Sequence, residues 1–440
     1  MSTDAKPQKS RSLKLLGPSS NGKLVFLDPA VPNWARLTPS AAAVLSVCDG
    51  RATVSDLARL VPPAEPGGTG EAHIAALIRR FDEMGLLERE APLHKSVPRE
   101  PLLGRVWLNL TEACNLRCQY CYFALRGQAG KELSTRQWLD VIDDLAETGV
   151  KSAEYIGGEP LLRRDLFELA SEASARSVAP NLFTNGTLID TKAASRIARA
   201  FASVCVSLDG PEKENDALRG SGSFCRAVDG VKRLIAEGSH VTVLCTVTNL
   251  NHYSLDRLIE FLVETGVHSF QANNLQHMGR ALHSNVAKLA EKEVVSTLAE
   301  LWRKWRGQIE FIQIRRFFPR KGVKRTHCGT GAAMLDISPD GSVHPCFKYM
   351  ERSISAGSVT EHSIRRIYYE SDLLHRVRSM SVDDFAVCAG CDFKYLCGGG
   401  CLADKRPTSV ETCELADQIR WKLTELDWAL FQPETKKVDL

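Results

Sequence analysis

Three cysteines, Cys114, Cys118 and Cys121, stand at spacings of four and three in the stretch Thr111-Glu-Ala-Cys-Asn-Leu-Arg-Cys-Gln-Tyr-Cys-Tyr122. Thiolates this close in one short loop point to a metal site. Three ligands are one short of the four that a closed zinc or iron–sulfur site takes. An open coordination position is where a reactant can bind. Tyr120 places an aromatic face beside the third cysteine. A second array lies downstream: Cys328, Cys346, then Cys388-x2-Cys391-x5-Cys397-x3-Cys401, and Cys413. Seven ligands make four plus three, again one short of two closed sites. A zinc ribbon is the alternative for this array. Cys48, Cys205, Cys225 and Cys245 are scattered singly and read as structural, with Cys205 and Cys245 inside apolar runs.

The elements that must position these groups are legible from periodicity. Strand-like runs cover Arg105–Leu110, Ser152–Ile156, Ala179–Thr184, Ser203–Leu208, His240–Thr246 and Ser269–Asn273. Helical runs follow each: Thr135–Thr148, Asp165–Arg176, Thr191–Ala200, Cys225–Glu237, Leu255–Thr265 and Glu291–Gly307. Ser134 with Gln137 forms a capping box. Repeated strand–helix units predict an α/β fold with a parallel sheet curled into a partial (βα)6 TIM-like barrel. Ligands bind at the C-terminal ends of such strands. The cysteine loop, Gly157-Gly158-Glu159-Pro160, Thr184-Asn185-Gly186 and Ser207-Leu208-Asp209-Gly210 all fall there, and Arg219 follows the fourth strand.

The flanks differ from this core. Residues 1–12 are polar and are expected to be a disordered tail. Leu13–Gly17 and Lys23–Asp28 are strand-like; Ser40–Cys48, Val54–Leu60 and Glu71–Met84 are helical; Leu86–Glu90 is a candidate returning strand. These make a winged-helix-like unit over residues 13–92. Its helices are not basic, which argues against DNA. Residues 93–103, with Pro98 and Pro101, read as a linker. The barrel is expected over 104–316, the cysteine-rich segment over 317–430 with an amphipathic last helix near Glu411–Leu430, and a polar tail over 431–440.

The chain has 440 residues, 14 cysteines and a net charge of +3. That charge is too small to argue for nucleic acid or an anionic membrane surface. No run of 18 apolar residues exists, so no membrane span is expected. The first residues lack an apolar signal core, which predicts a cytoplasmic location, where cysteines serve as metal ligands rather than disulfides.

The opening cysteine loop resembles the signature of the radical S-adenosylmethionine (radical SAM) enzymes. The resemblance implies a [4Fe-4S] cluster on Cys114, Cys118 and Cys121, with SAM on the open iron. It implies that Gly157, Gly158, Glu159 and Pro160 contact the SAM amino group, that Asn185 and Ser207 lie near its ribose and carboxylate, that Arg219 pairs with its carboxylate and that Tyr120 lies near the adenine. Gly279-Arg280-Ala281 resembles the end of this barrel in relatives, where backbone meets adenine. The downstream array resembles the SPASM domain. By that pattern Cys388, Cys391, Cys397 and Cys413 fill one auxiliary [4Fe-4S] cluster, and Cys328, Cys346 and Cys401 hold another, making three clusters in all. No fourth cysteine lies between Gly329 and Pro345, so the latter cluster is expected to have an open iron or a non-cysteine ligand, with His327 and His344 as candidates.

Leu37-Thr-Pro-Ser-Ala-Ala-Ala-Val-Leu-Ser-Val-Cys-Asp-Gly50, with Val54, Leu57 and Gly85-Leu-Leu-Glu88, resembles the RiPP recognition element, which binds the leader of a ribosomally made precursor peptide as an added strand. Together the resemblances imply a peptide maturase. Its cleaved SAM would yield a 5′-deoxyadenosyl radical that takes hydrogen from the peptide, leading to a carbon–carbon or thioether cross-link. A reductant such as flavodoxin or ferredoxin is implied. Epimerisation and decarboxylation are alternatives, as is formylglycine formation. Against the last, Phe347 follows Cys346 where formylglycine-forming relatives carry an aspartate. A non-catalytic peptide-binding iron–sulfur protein is the further alternative.

Overall fold

The computed structural model describes residues 4–60, 70–88, 102–125, 132–312, 321–351, 354–401, 403 and 413–426. The chain divides into two compact units. One contains residues 1–99, 318–328 and 381–440, the other 100–317 and 329–380.

The chain opens with an antiparallel sheet of β1 (Lys14–Pro18), β2 (Leu24–Asp28) and β3 (Asn33–Leu37), in that order. β3 was not expected from the sequence. β2 (LVFLD) is a continuous apolar run, whereas β3 (NWARL) is interrupted by Asn33 and Arg36, which breaks the apolar pattern of a strand. Helices α1 (Pro39–Ser46), α2 (Val54–Leu60) and α3 (Gly70–Glu83) follow. Thr38 caps α1 by accepting from the Ala41 amide, and Pro39 occupies the first turn. Ile74, Leu77, Ile78 and Phe81 are the buried stripe of α3.

Residues 4–12 are not a disordered tail. The Lys9 amide donates to Cys48 O, Ser10 N to Leu86 O and Val54 N to Ala5 O, while Ser12 donates to the buried Asp28 carboxylate at 2.6 Å. A polar segment is thus ordered by backbone pairing that leaves no hydrophobic signature. The linker expected at 93–103 and the tail at 431–440 lie essentially outside the described residues.

Among the described residues, the second unit is built on a ten-stranded sheet. In chain order come β4 (Arg105–Asn109), α4 (Thr135–Glu147), β5 (Ser152–Ile156), α5 (Leu166–Ala175), β6 (Ala179–Thr184), α6 (Thr191–Ala200), β7 (Ser203–Ser207), α7 (Glu212–Arg219), α8 (Ser223–Ala236), β8 (Val241–Val247), α9 (Leu255–Thr265), β9 (Ser269–Asn274), α10 (Glu291–Trp305) and β10 (Glu310–Phe311). β4 to β10 pair in sequence order and all in parallel. β4 to β9 are the six strands of the expected partial barrel, and β10 adds a seventh. The Ser134–Gln137 capping box starts α4 as the sequence indicated. Val106, Leu108, Tyr155, Leu182, Val204, Val206 and Val243 are buried towards the helices. Their alternates carry the polar and aromatic residues of the other face, such as Glu154 and Asn181.

Other elements of this unit also exceed the expectation. α7 forms directly after β7 and places Arg219 at its last turn. The first part of the cysteine-rich segment also continues the sheet: β11 (Met334–Ile337) pairs in parallel with β4, then β12 (Ser342–His344) and β13 (Gly357–Ser358) add antiparallel. Phe347–Glu351, Ile364–Glu370 and Asp372–Ser379 are helices of the same unit. The remainder of the segment, residues 381–426, belongs to the first unit and carries short helices at Ala386–Ala389 and Lys394–Cys397 and a longer one at Glu414–Thr424.

Candidate functional site

The cysteine loop leaves β4 and is clamped from two sides. On one side Gly158 N–H donates to Thr111 O at 2.7 Å and Glu159 N–H to Ala113 O at 2.8 Å. A Cβ on Gly158 would stand 2.2 Å from the Ala113 carbonyl oxygen. Only glycine allows this approach. What approaches these glycines so closely is therefore the backbone of the cysteine loop. On the other side a Cβ on Gly279 would stand 2.3 Å from Cys121 O. Arg280 donates its amide to Cys121 O at 3.0 Å and its Nε to Cys118 O at 2.8 Å. Between the two, the Gln119 side chain donates to Ala217 O at 2.6 Å, fixing the loop to α7.

Glu159 links three strand ends. Its carboxylate is fully buried and accepts from Thr184 Oγ1 at 2.7 Å, Asn185 N at 2.8 Å and Leu161 N at 3.1 Å. Burial raises its pKa, and the Asn185 amide donation opposes that rise. Pro160, buried, begins the short turn that Glu159 caps. Asn185 makes a local turn through Thr187 and donates Nδ2 to Asn115 Oδ1 at 2.9 Å, with Cys114 Sγ at 3.9 Å. Ser207 sits half-buried at the end of β7.

Tyr120, Asp209 and Arg219 form one knot. Asp209 is fully buried. It accepts from Arg219 Nε at 2.6 Å, from Thr246 N at 2.8 Å and from the Tyr120 hydroxyl. Arg219 Nη2 also reaches the Tyr120 oxygen at 2.6 Å. The rest of the Tyr120 ring packs near Leu218, Leu275 and Ala281. Asn251 Nδ2 holds Asp209 O at 2.6 Å. So two groups expected to face a ligand are tied to the chain's own carboxylate. Burial pushes the Cys118 thiol up to about 11, against the pull of Arg219. Burial raises Cys114 as well.

The sequence reading did not single out Asp209, Asn251 or Arg280 as site residues. Asp209 and Arg280 lay inside quoted loops, and that position was their only signal.

The downstream cysteines fall in both units. In the barrel unit, burial raises the Cys346 thiol. The Tyr122 and Phe347 rings, each next to a cysteine, lie 5.5 Å apart. His344 is not available as a ligand: it is buried, and its ring nitrogens face Ser338 Oγ at 2.7 Å and Ile354 O at 2.8 Å. Cys328 and Cys401, with His327, are in the other unit. There Cys388 and Cys397 lie on short helices, Cys391 in the loop between them and Cys413 at the foot of the last helix. Burial raises Cys391, and Cys413 and Cys388 are close enough to raise it further. Among the described residues, no three His, Cys, Asp or Glu side chains converge on a point that would hold a single metal ion. A [4Fe-4S] cluster takes each thiolate on a different iron, so its ligands need not converge in that way.

Residues 108–264 match the family described as Radical SAM superfamily, and residues 328–392 match SPASM, described as an iron-sulfur cluster-binding domain. The mycofactocin maturase MftC of Mycobacterium tuberculosis (strain CDC 1551 / Oshkosh) is 30% identical over 309 residues, covering 67% of this chain and 77% of that protein. The chain belongs to the radical SAM superfamily. The PqqA peptide cyclase of Granulibacter bethesdensis is 27% identical over 311 residues, 69% of this chain and 83% of that protein. The crystal structure of Streptococcus suis SuiB bound to S-adenosylmethionine superposes with a TM-score of 0.61 at 15% identity, over 91% of this chain and 97% of that one; it shares the fold. Membership in the superfamily brings SAM and [4Fe-4S] clusters as cofactors and makes the chain an enzyme. Among the described residues, no helix is long and apolar enough to cross a membrane.

Proposed function

We propose that this radical SAM enzyme is a maturase of a ribosomally made precursor peptide, and that it forms an intramolecular carbon–carbon or thioether cross-link. The observation that carries the reading is the pair of relatives named as a maturase and a peptide cyclase, each aligned with about two thirds of this chain. Cys114, Cys118 and Cys121 would hold the SAM cluster. Cys388, Cys391, Cys397 and Cys413 would hold one auxiliary cluster, and Cys328, Cys346 and Cys401 the other. Residues 13–92 would bind the leader as an added strand of a winged-helix-like domain. A flavodoxin or ferredoxin in the cytoplasm would supply electrons.

When bound, the cofactors supply hydrogen-atom abstraction from an unactivated carbon. The chain's own residues supply position. Gly157, Gly158, Gly279 and Arg280 hold the backbone of the cysteine loop in register with the ends of β5 and β9. Glu159 joins the loops after β5 and β6. Asp209 aligns Tyr120 and Arg219, so that their positions at the strand ends are preset rather than induced. Leader binding would raise the local concentration of the peptide to be modified.

The test uses the iron-loaded chain with dithionite, SAM and the short peptide encoded beside its gene. Formation of 5′-deoxyadenosine with a product lighter by two hydrogens is the expected result. No 5′-deoxyadenosine above background would sink the enzymatic reading. A modified product of unchanged mass would replace cross-linking by epimerisation.

A further inference from the structure

The N-terminal sheet has two buried faces. On one, Ala35 and Leu37 join the core formed with α1 and α3. On the other, Val25, Leu27 and Trp34 form a separate apolar cluster with Phe393, Leu396, Ile419 and Leu423, and Cys391 and Cys397 pack against it. Alternation along β2 and β3 produces this split, because neighbouring residues point to opposite faces. Polar contacts close the same seam. Arg36 Nε donates to Leu423 O at 2.8 Å, capping the C-terminus of the last helix. Ser20 N donates to Thr424 O at 3.1 Å. Lys14 Nζ meets Asp392, the residue after Cys391, at 2.6 Å. The Arg325 amide donates to Tyr395 O at 3.0 Å within the same unit.

We propose that the outer face of the N-terminal sheet is a wall of the site formed by Cys388, Cys391, Cys397 and Cys413, so that the N-terminal domain assembles and shields an auxiliary cluster in addition to binding peptide. The inference rests on the proposed assignment of that cluster to these four cysteines. Cys388 and Cys397 stand on two helical turns of four residues each, Cys391 lies in the loop between them, and Cys413 is the N-cap of the last helix. Elements so short are not stable alone. The apolar partners that fix them come from β2 and β3. The solvent access and dielectric around a cluster set its lifetime and potential, and here the sheet supplies one side of both.

The test counts iron in the full-length chain after anaerobic reconstitution. A Cys391→Ala, Cys413→Ala double variant gives the reference signature for loss of this cluster, about four irons per chain. Trp34→Ala, which does not touch the domain's own core, should reproduce that loss and the accompanying change in the low-temperature EPR spectrum of the reduced protein. A full iron load and an unchanged spectrum in Trp34→Ala overturn the proposal while leaving the cluster assignment intact. A full load in the cysteine double variant instead overturns the assignment itself. Hydrogen exchange on the unmutated chain gives an independent reading. Iron loading should increase protection in Leu24–Asp28 and Asn33–Leu37, and identical protection with and without iron also overturns the proposal.

Discussion

Asp209 is the residue whose replacement most sharply tests how the site is held. It is fully buried, and Arg219 is 9% exposed. Their 2.6 Å ion pair therefore lies where neither charge has water to fall back on. Removing one partner of such a pair typically costs about 3–5 kcal/mol, because the other charge is left uncompensated. Asp209→Asn keeps the shape and an acceptor for the Thr246 amide, but it removes the charge and turns an NH2 donor towards Arg219 and Tyr120, so its cost comes from the lost charge and the lost acceptor together. Against a folding free energy of about 5–15 kcal/mol, that is a large fraction. Urea unfolding followed by tryptophan fluorescence and circular dichroism gives the number. Arg219→Met should cost a similar amount by stranding the carboxylate. The double variant should be less destabilised than the sum of the singles by at least about 2 kcal/mol, since neither charge then remains. If Asp209→Asn costs under about 1 kcal/mol, or the two effects simply add, the pair is not the buried ion pair described and the reasoning fails.

Burial pushes the Asp336 carboxyl from 3.8 up to about 7. Between those values the folded chain holds a proton that the unfolded chain has released, so stability falls as pH rises from about 4 to 7 and is level above; Asp336→Asn should abolish the slope and gain up to about 4 kcal/mol at pH 8. A slope that persists in the variant refutes this. Gly158→Ala and Gly279→Ala place a methyl 2.2 and 2.3 Å from carbonyl oxygens of the cysteine loop. Each should lower 5′-deoxyadenosine formation by about 100-fold or more, as displacements of an ångström do, and unaltered turnover would contradict the clamp. His344→Gln should leave the iron content unchanged, because its ring nitrogens already face Ser338 and Ile354. Loss of iron in that variant would restore His344 as a ligand.

Much of the barrel was legible because its strands are runs of β-branched and apolar residues followed by amphipathic helices. The rim followed from topology, since parallel strands put their C-terminal loops together. The knot was not legible. Asp209 meets Tyr120 across 89 residues and the Thr246 amide across 37, and no local pattern marks a carboxylate as the partner of either. Arg280 reaches Cys118 across 162 residues. Gly157 and Gly158, which the resemblance assigns to SAM, have the backbone of the cysteine loop as their nearest group. β3 escaped notice for a different reason. Asn33 and Arg36 break its apolar run, so nothing separated Asn33–Leu37 from a loop.

That two-faced strand pair also bears on how the N-terminal domain should be probed. Deleting residues 1–92 would remove the domain proposed to bind the leader and, in the same stroke, uncover Phe393, Leu396, Ile419 and Leu423. Burying side chains of this size is worth about 1.5–3 kcal/mol each, so four of them represent about 6–12 kcal/mol, comparable with the stability of a whole domain. A deleted protein that fails to modify peptide would therefore say nothing about leader recognition. The two proposed roles would use different parts of the sheet: a leader added as a strand would bond to main-chain groups at an open edge, whereas the seam uses the face that carries Val25, Leu27 and Trp34. Variants at the edge should weaken peptide affinity with iron unchanged. Variants on the face should lose iron with the domain's own core, around Leu45, Ile78 and Phe81, intact. If edge and face variants instead fail together in both assays, recognition and cluster assembly are one cooperative event, and the domain cannot be treated as a separable module.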